Sequence, residues 1–78
     1  MRVRVIVWRE EDTYVAREIA TGVTSQGRTV EEAVENLREA LELYLEEAPE
    51  ALEKLEQLDR GIVGVLEVEA KAPKTVRA

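Results

Sequence analysis

Between Thr29 and Pro49 the apolar residues return every three or four positions. Val30, Val34, Leu37, Leu41, Tyr44, Leu45 and Ala48 form one stripe, which is the signature of a long amphipathic helix with one face on a core. Its start is marked by Thr29-Val30-Glu31-Glu32. In that capping box the Thr29 hydroxyl accepts from the Glu32 amide, and the Glu32 carboxylate reaches back to the Thr29 amide. Its end is marked by Pro49, which lacks an amide donor and disfavours helical geometry at Ala48. A second helical piece, from Pro49 to Leu58, opens on that proline and carries Leu52, Leu55 and Leu58. Asp59-Arg60-Gly61 then reads as a break.

The flanks change period. Val3, Val5 and Val7 alternate with Arg4, Ile6 and Trp8, so the first strand is expected over Val3 to Trp8. Glu10-Glu11-Asp12 suits a turn, Thr13 to Ile19 a second strand, and Val23-Thr24-Ser25 a short third one after Gly22. Beyond the helices, Leu66, Val68 and Ala70 alternate with Glu67, Glu69 and Lys71, so a fourth strand is expected over Ile62 to Ala70. The fold class is therefore α+β, in the order β-β-β-α-(α)-β, with one sheet covered on one face by an amphipathic helix. Seventy-eight residues allow one domain. It is placed at 1–72, followed by a frayed tail at 73–78.

Composition excludes several functions. The chain has no Cys and no His. That removes disulfides, thiolate or imidazole metal ligands, and His-based catalysis. Ribonuclease H-type chemistry needs carboxylates converging on metal ions, yet Arg2 to Arg9 contains no acid, and Glu67 and Glu69 have no evident co-ligand. No catalytic, cofactor or metal site is expected, and the chain reads as a non-enzyme. No window is apolar enough for a membrane span, and the N-terminus is unlike a signal peptide. The expected compartment is the cytoplasm. The net charge of −6 argues against a dedicated nucleic-acid binder. Charged residues at 36% with only three amide side chains (Gln26, Asn36, Gln57) match a pattern common in heat-adapted proteins, so a thermophilic origin is an expectation.

The charge is unevenly distributed. Residues 29–59 hold eleven acids and two bases, whereas both flanks are slightly basic. Glu32, Glu35, Glu39, Glu42 and Glu46 recur along one side of the long helix, as a solvated face or as a surface for a basic partner. Ser25 to Thr29, at the helix start, is explained by the turn and cap. Arg2, Arg4, Arg9 and Arg17 are expected to pair across strands with Glu18. Tyr44 falls on the core stripe, and Trp8 is either the edge of the core or an interface anchor. One helical layer covers one sheet face, yet both faces carry large apolar groups. Ile6, Trp8, Val63 and Val65 are therefore the expected contact of a homo-oligomer, a dimer or tetramer.

Tyr14-Val15-Ala16, Gly22-Val23-Thr24-Ser25-Gln26-Gly27, Thr29-Val30-Glu31-Glu32-Ala33 and Glu42-Leu43-Tyr44-Leu45-Glu46 stand in an order and spacing that resembles the HicB-like antitoxin family. The likeness spans about residues 1–70 and includes Glu35-Asn36-Leu37 and Glu39-Ala40. It implies a partial ribonuclease H-like fold and an antitoxin domain that binds and occludes a small basic mRNA-cleaving toxin. Many such antitoxins continue into a DNA-binding tail. Eight residues follow Ala70 here, so DNA binding is not expected of this chain. The alternative is a stand-alone oligomeric interaction or regulatory domain without a toxin.

Overall fold

Two residues, Glu11 and Asp12, separate strand β1 (Val5–Glu10) from strand β2 (Thr13–Glu18), and Glu11 takes up the tight reversal in the left-handed region at φ 53°. The computed structural model describes residues 1–73. β2 pairs antiparallel with β1 and, on its other side, with β3 (Thr24–Gly27). Helices α1 (Val30–Glu47) and α2 (Ala51–Gly61) follow. Among the described residues the sheet has three strands in the order β1-β2-β3.

The register decides which side chains meet the helix. Val7 lies opposite Ala16, and Ala16 opposite Ser25. Directly opposed residues share a face. Ala16 is fully buried against Ala33 and Leu37 of α1, with Val7, Tyr14, Val23 and Val34 packed around them. Gly27 makes the close approach possible. A Cβ there would stand 2.6 Å from the Ala33 amide nitrogen and 2.9 Å from the Glu32 Cβ. The sheet hands directly into α1 at a point where only a hydrogen atom fits.

The start of α1 lies where the capping motif places it, with one change of partner. The Thr29 hydroxyl accepts from the Glu32 amide at 3.0 Å, as expected. The Glu32 carboxylate, however, accepts from the Arg28 amide at 2.6 Å rather than from Thr29. Thr29 itself is extended, at φ −132° and ψ 164°, the usual conformation of an N-cap residue. Asn36 adds a side-chain bond to the Gln26 carbonyl at 2.9 Å. The buried stripe is Ala33, Leu37 and Leu41. Val30 and Tyr44, expected in the core, are 42% and 40% exposed; Val30 is the first residue of the helix, and Tyr44 lines an open hollow with Ala20, Thr21 and Ala51.

α1 stops at Ala48, before Pro49, and α2 restarts at Ala51. Residues Asp59 to Gly61 continue α2 instead of breaking it. α2 anchors at the end of the sheet through buried Ala51 and Leu55 and through an ion pair, Arg4 to Asp59, of 2.6 Å. A buried carboxylate builds that corner. Glu18 is 1% exposed and accepts from the Ala20 amide (3.0 Å), the Thr21 amide (2.7 Å) and the Thr21 hydroxyl (2.8 Å). Gly22, at φ 78°, completes the turn into β3.

The fourth strand is the main correction. Residues 62–73 hold no regular element, and Val63, Val65, Leu66 and Val68 are all at least 82% exposed. The alternation is present, but a strand exists only with a neighbour to pair with, and among the described residues no strand lies alongside this segment. The tail expected at 73–78 falls, apart from Pro73, outside the described residues.

Two outcomes test this packing. Gly27→Ala is expected to lower stability by about 2 kcal/mol through overpacking at the α1 start, whereas Gly64→Ala, with open space around it, leaves the melting temperature unchanged. Glu18→Gln is expected to cost about 2 kcal/mol, because the amide nitrogen faces backbone donors where a carboxylate oxygen stood. Equal melting curves for wild type and Glu18→Gln would contradict the corner described.

Candidate functional site: an acidic helix face and an open strand edge

Two surfaces of the molecule present unsatisfied chemistry. The first is the outer side of α1. At 100° per residue, the buried Ala33, Leu37 and Leu41 fall on one side of the helix, and Glu32, Glu35, Glu39, Glu42 and Glu46 fall within a narrow arc on the other. All five are exposed. Glu32 is engaged by the cap, and Glu35 meets Arg38 at 3.2 Å, a solvent-exposed pair. Glu39, Glu42 and Glu46 have no cationic partner among the described residues. Like charges three and four residues apart repel, each pair costing about 0.3 kcal/mol. The stripe therefore weakens the helix that carries it.

The second surface is the free side of β1 with the faces it borders. Val3 and Val5, with Met1, look across an open groove of about 250 Å³ toward Val34, Leu41 and Leu45 of α1. β1 has β2 on one side and no neighbour on the other among the described residues. On the face turned away from α1, Ile6 is 55% exposed. Trp8 is half-buried beside Val15, its register partner, which is buried although it points away from the helix. The Arg17 guanidinium lies 5.0 Å from the Trp8 ring centroid, a cation–π arrangement that roofs this small outer cluster. Trp8 thus covers Val15 at the rim of the fold.

The four proposed contact residues are not brought together. Ile6 and Trp8 sit on β1, while Val63 and Val65 lie on the segment after α2 and are exposed. The basic set also differs from expectation. Arg4 binds Asp59, Arg17 donates to the Thr24 hydroxyl at 3.0 Å, and Arg9 donates to the Glu11 carbonyl at 3.1 Å. None reaches Glu18, because Glu18 faces the helical side and its oxygens are taken by the following turn. The burial of Glu18 was readable in principle. It follows Tyr14 and Ala16 in period two and precedes Thr21, an amide and hydroxyl source. Among the described residues no group of acids is arranged to hold a metal ion, and no helix is long and apolar enough to cross a membrane.

A family of unknown function, DUF7387, matches residues 2–72 of the chain, so the chain belongs to that family. No curated protein matches, and no solved structure matches.

Glu39→Lys removes repulsion with Glu35 and Glu42 and replaces it with attraction on both sides. It is expected to raise the melting temperature at low salt by the equivalent of about 1 kcal/mol, with the gain fading as salt is added. A destabilised Glu39→Lys would show that the stripe holds the fold rather than standing free of it.

Proposed function

We propose that this member of the DUF7387 family works by binding a basic protein through the outer face of α1, as a HicB-like antitoxin domain that occludes a small basic mRNA-cleaving toxin, and has no chemistry of its own. The observation that carries this reading is the exposed stripe of Glu35, Glu39, Glu42 and Glu46, which opposes the buried face and costs the helix stability. A face held at a cost to the fold is what a binding surface looks like. A protein that cleaves RNA presents Lys and Arg to the phosphates. An acidic helix on a rigid sheet offers that surface a regular row of carboxylates, speeds encounter and masks the basic groups. The proposed compartment is the cytoplasm, where such a partner acts on mRNA.

A second reading, a stand-alone oligomeric interaction domain without a toxin, draws on a different observation, the exposed apolar segment after α2.

Co-expression with a small basic protein encoded beside the gene separates the two. The antitoxin reading expects a complex that co-purifies and stops RNA cleavage. It also expects the affinity of Glu35→Lys/Glu39→Lys/Glu42→Lys to fall at least about tenfold, in keeping with the loss of three complementary charges. An intact complex with the triple variant would move the contact off α1. Failure of any neighbouring basic protein to bind would favour the stand-alone reading.

A further inference from the structure

The geometry points to a second copy of this chain as the partner of both the free edge of β1 and the unpaired segment 62–70. In this arrangement the two copies exchange their C-terminal segments as antiparallel strands. It does not depend on the occlusion reading, since the acidic face of α1 plays no part in it.

The segment has the form of a strand and lacks only a neighbour. Leu66, Val68 and Ala70 alternate with Val65, Glu67 and Glu69, and Ile62 leaves α2 already extended, at φ −73° and ψ 124°. Leaving it in solvent stretches the molecule. The radius of gyration is 15.3 Å, against about 11.5 Å for a compact domain of this length. Four branched apolar side chains stand at least 82% exposed, a patch that soluble monomers avoid. β1 offers the complement, an open strand edge, which is a ready template for another chain. A helix-side groove lined by Val3, Val5, Leu41 and Leu45 lies under that edge.

One register satisfies both faces. Set antiparallel with Leu66 opposite Val5, the segment places Val68 opposite Val3 and Ala70 opposite Met1, over the apolar groove. On the outer face, where pairing begins after the crossing, Val65 then stands opposite Ile6, Glu69 opposite Arg2, and Glu67 opposite Arg4, which also holds Asp59. Apolar meets apolar, and each acid meets a base. The parallel alternative with the same faces sets Glu69 against Glu10 and Val63 against Arg4, opposing like charges and wasting an apolar contact.

The antiparallel register excludes the chain's own segment. Ile62 emerges from α2 next to Arg2, Val3 and Arg4, at the beginning of β1. From there the chain's own segment can only run parallel to its own β1. To begin opposite Ile6 it would first have to travel about 10 Å up the strand at about 3.3 Å per residue, which uses every step from Ile62 to Val65 and leaves no residue for the reversal. A second copy related by a two-fold axis removes the difficulty. Its β1 runs the other way, so its Trp8 end lies near the first copy's Ile62 exit. The two exchanged strands then lie side by side on the axis, joining both sheets into one. Each exit crosses about 10 Å, two strand spacings, in the three residue steps from Ile62 to Val65, past Gly64, where nothing crowds the backbone.

The test is the solution mass of the full chain by light scattering, with three variants. Wild type is expected at twice the 8.8 kDa chain mass. Leu66→Asp/Val68→Asp touches no packed contact of the single chain, so it is expected to fall to the monomer mass with an unchanged helical signal. Glu69→Lys is expected to raise the dimer dissociation constant about tenfold, and Arg2→Glu added to it restores the wild-type value. A wild-type monomer overturns the proposal. So does a dimer indifferent to Leu66→Asp/Val68→Asp, or a monomer whose 62–70 amides are protected from hydrogen exchange, which would mean that the segment folds onto its own chain.

Discussion

α1 rests on the sheet because three adjacent positions carry almost no side chain. Gly27 has none, and Ala16 and Ala33 present a single methyl each, both fully buried. The backbone of the helix start thereby comes close enough for Glu32 to cap the Arg28 amide and for Asn36 to hold the Gln26 carbonyl. This junction fixes the direction of α1, and the direction of α1 fixes everything outward of it. Leu37 and Leu41 point into the core, the glutamates point into solvent, and the groove opens over the start of β1.

The closeness of that contact has a consequence for size. Of the seven buried apolar residues among the described residues, three are alanines. A core built this way removes little apolar area from water, and small domains have little to spare. Polar devices carry part of the load at the periphery. Glu18 closes the turn before β3, Arg4 ties α2 through Asp59, and Arg17 shields Trp8 and, beneath it, Val15. Covering β1 with a further strand would enlarge the core in the place where the groove now leaves Val3, Val5 and Leu45 partly open.

Elements with strong local signals were legible in the sequence. Thr29 and Pro49 bracket α1 within a residue or two, since a hydroxyl cap and a missing amide act on the nearest turn. The hairpin of β1 and β2 follows from period two around a polar pair. The misreadings share one cause: they depend on what lies across space. The alternation of Ile62 to Ala70 states a preference for pairing but not the partner, so the strand expected within the chain stays single. Val30 and Tyr44 lie on the apolar stripe but near the two ends of α1, and both stay partly exposed. Glu32 takes the Arg28 amide instead of the Thr29 amide, a choice that no residue identity announces. The acidic stripe was readable as a pattern, and the structure adds that Glu39, Glu42 and Glu46 stand free of cations among the described residues.

The central claim is that this fold is completed from outside the chain, along β1. It is tested most directly by isotope-filtered nuclear Overhauser spectroscopy on a mixture of labelled and unlabelled copies, read at the methyl groups of Val3, Val5, Leu66 and Val68. The account predicts cross-peaks from Leu66 to Val5 and from Val68 to Val3 that pass between labelled and unlabelled chains. Cross-peaks confined to single chains, or methyls of the segment that see only solvent at high concentration, would contradict it.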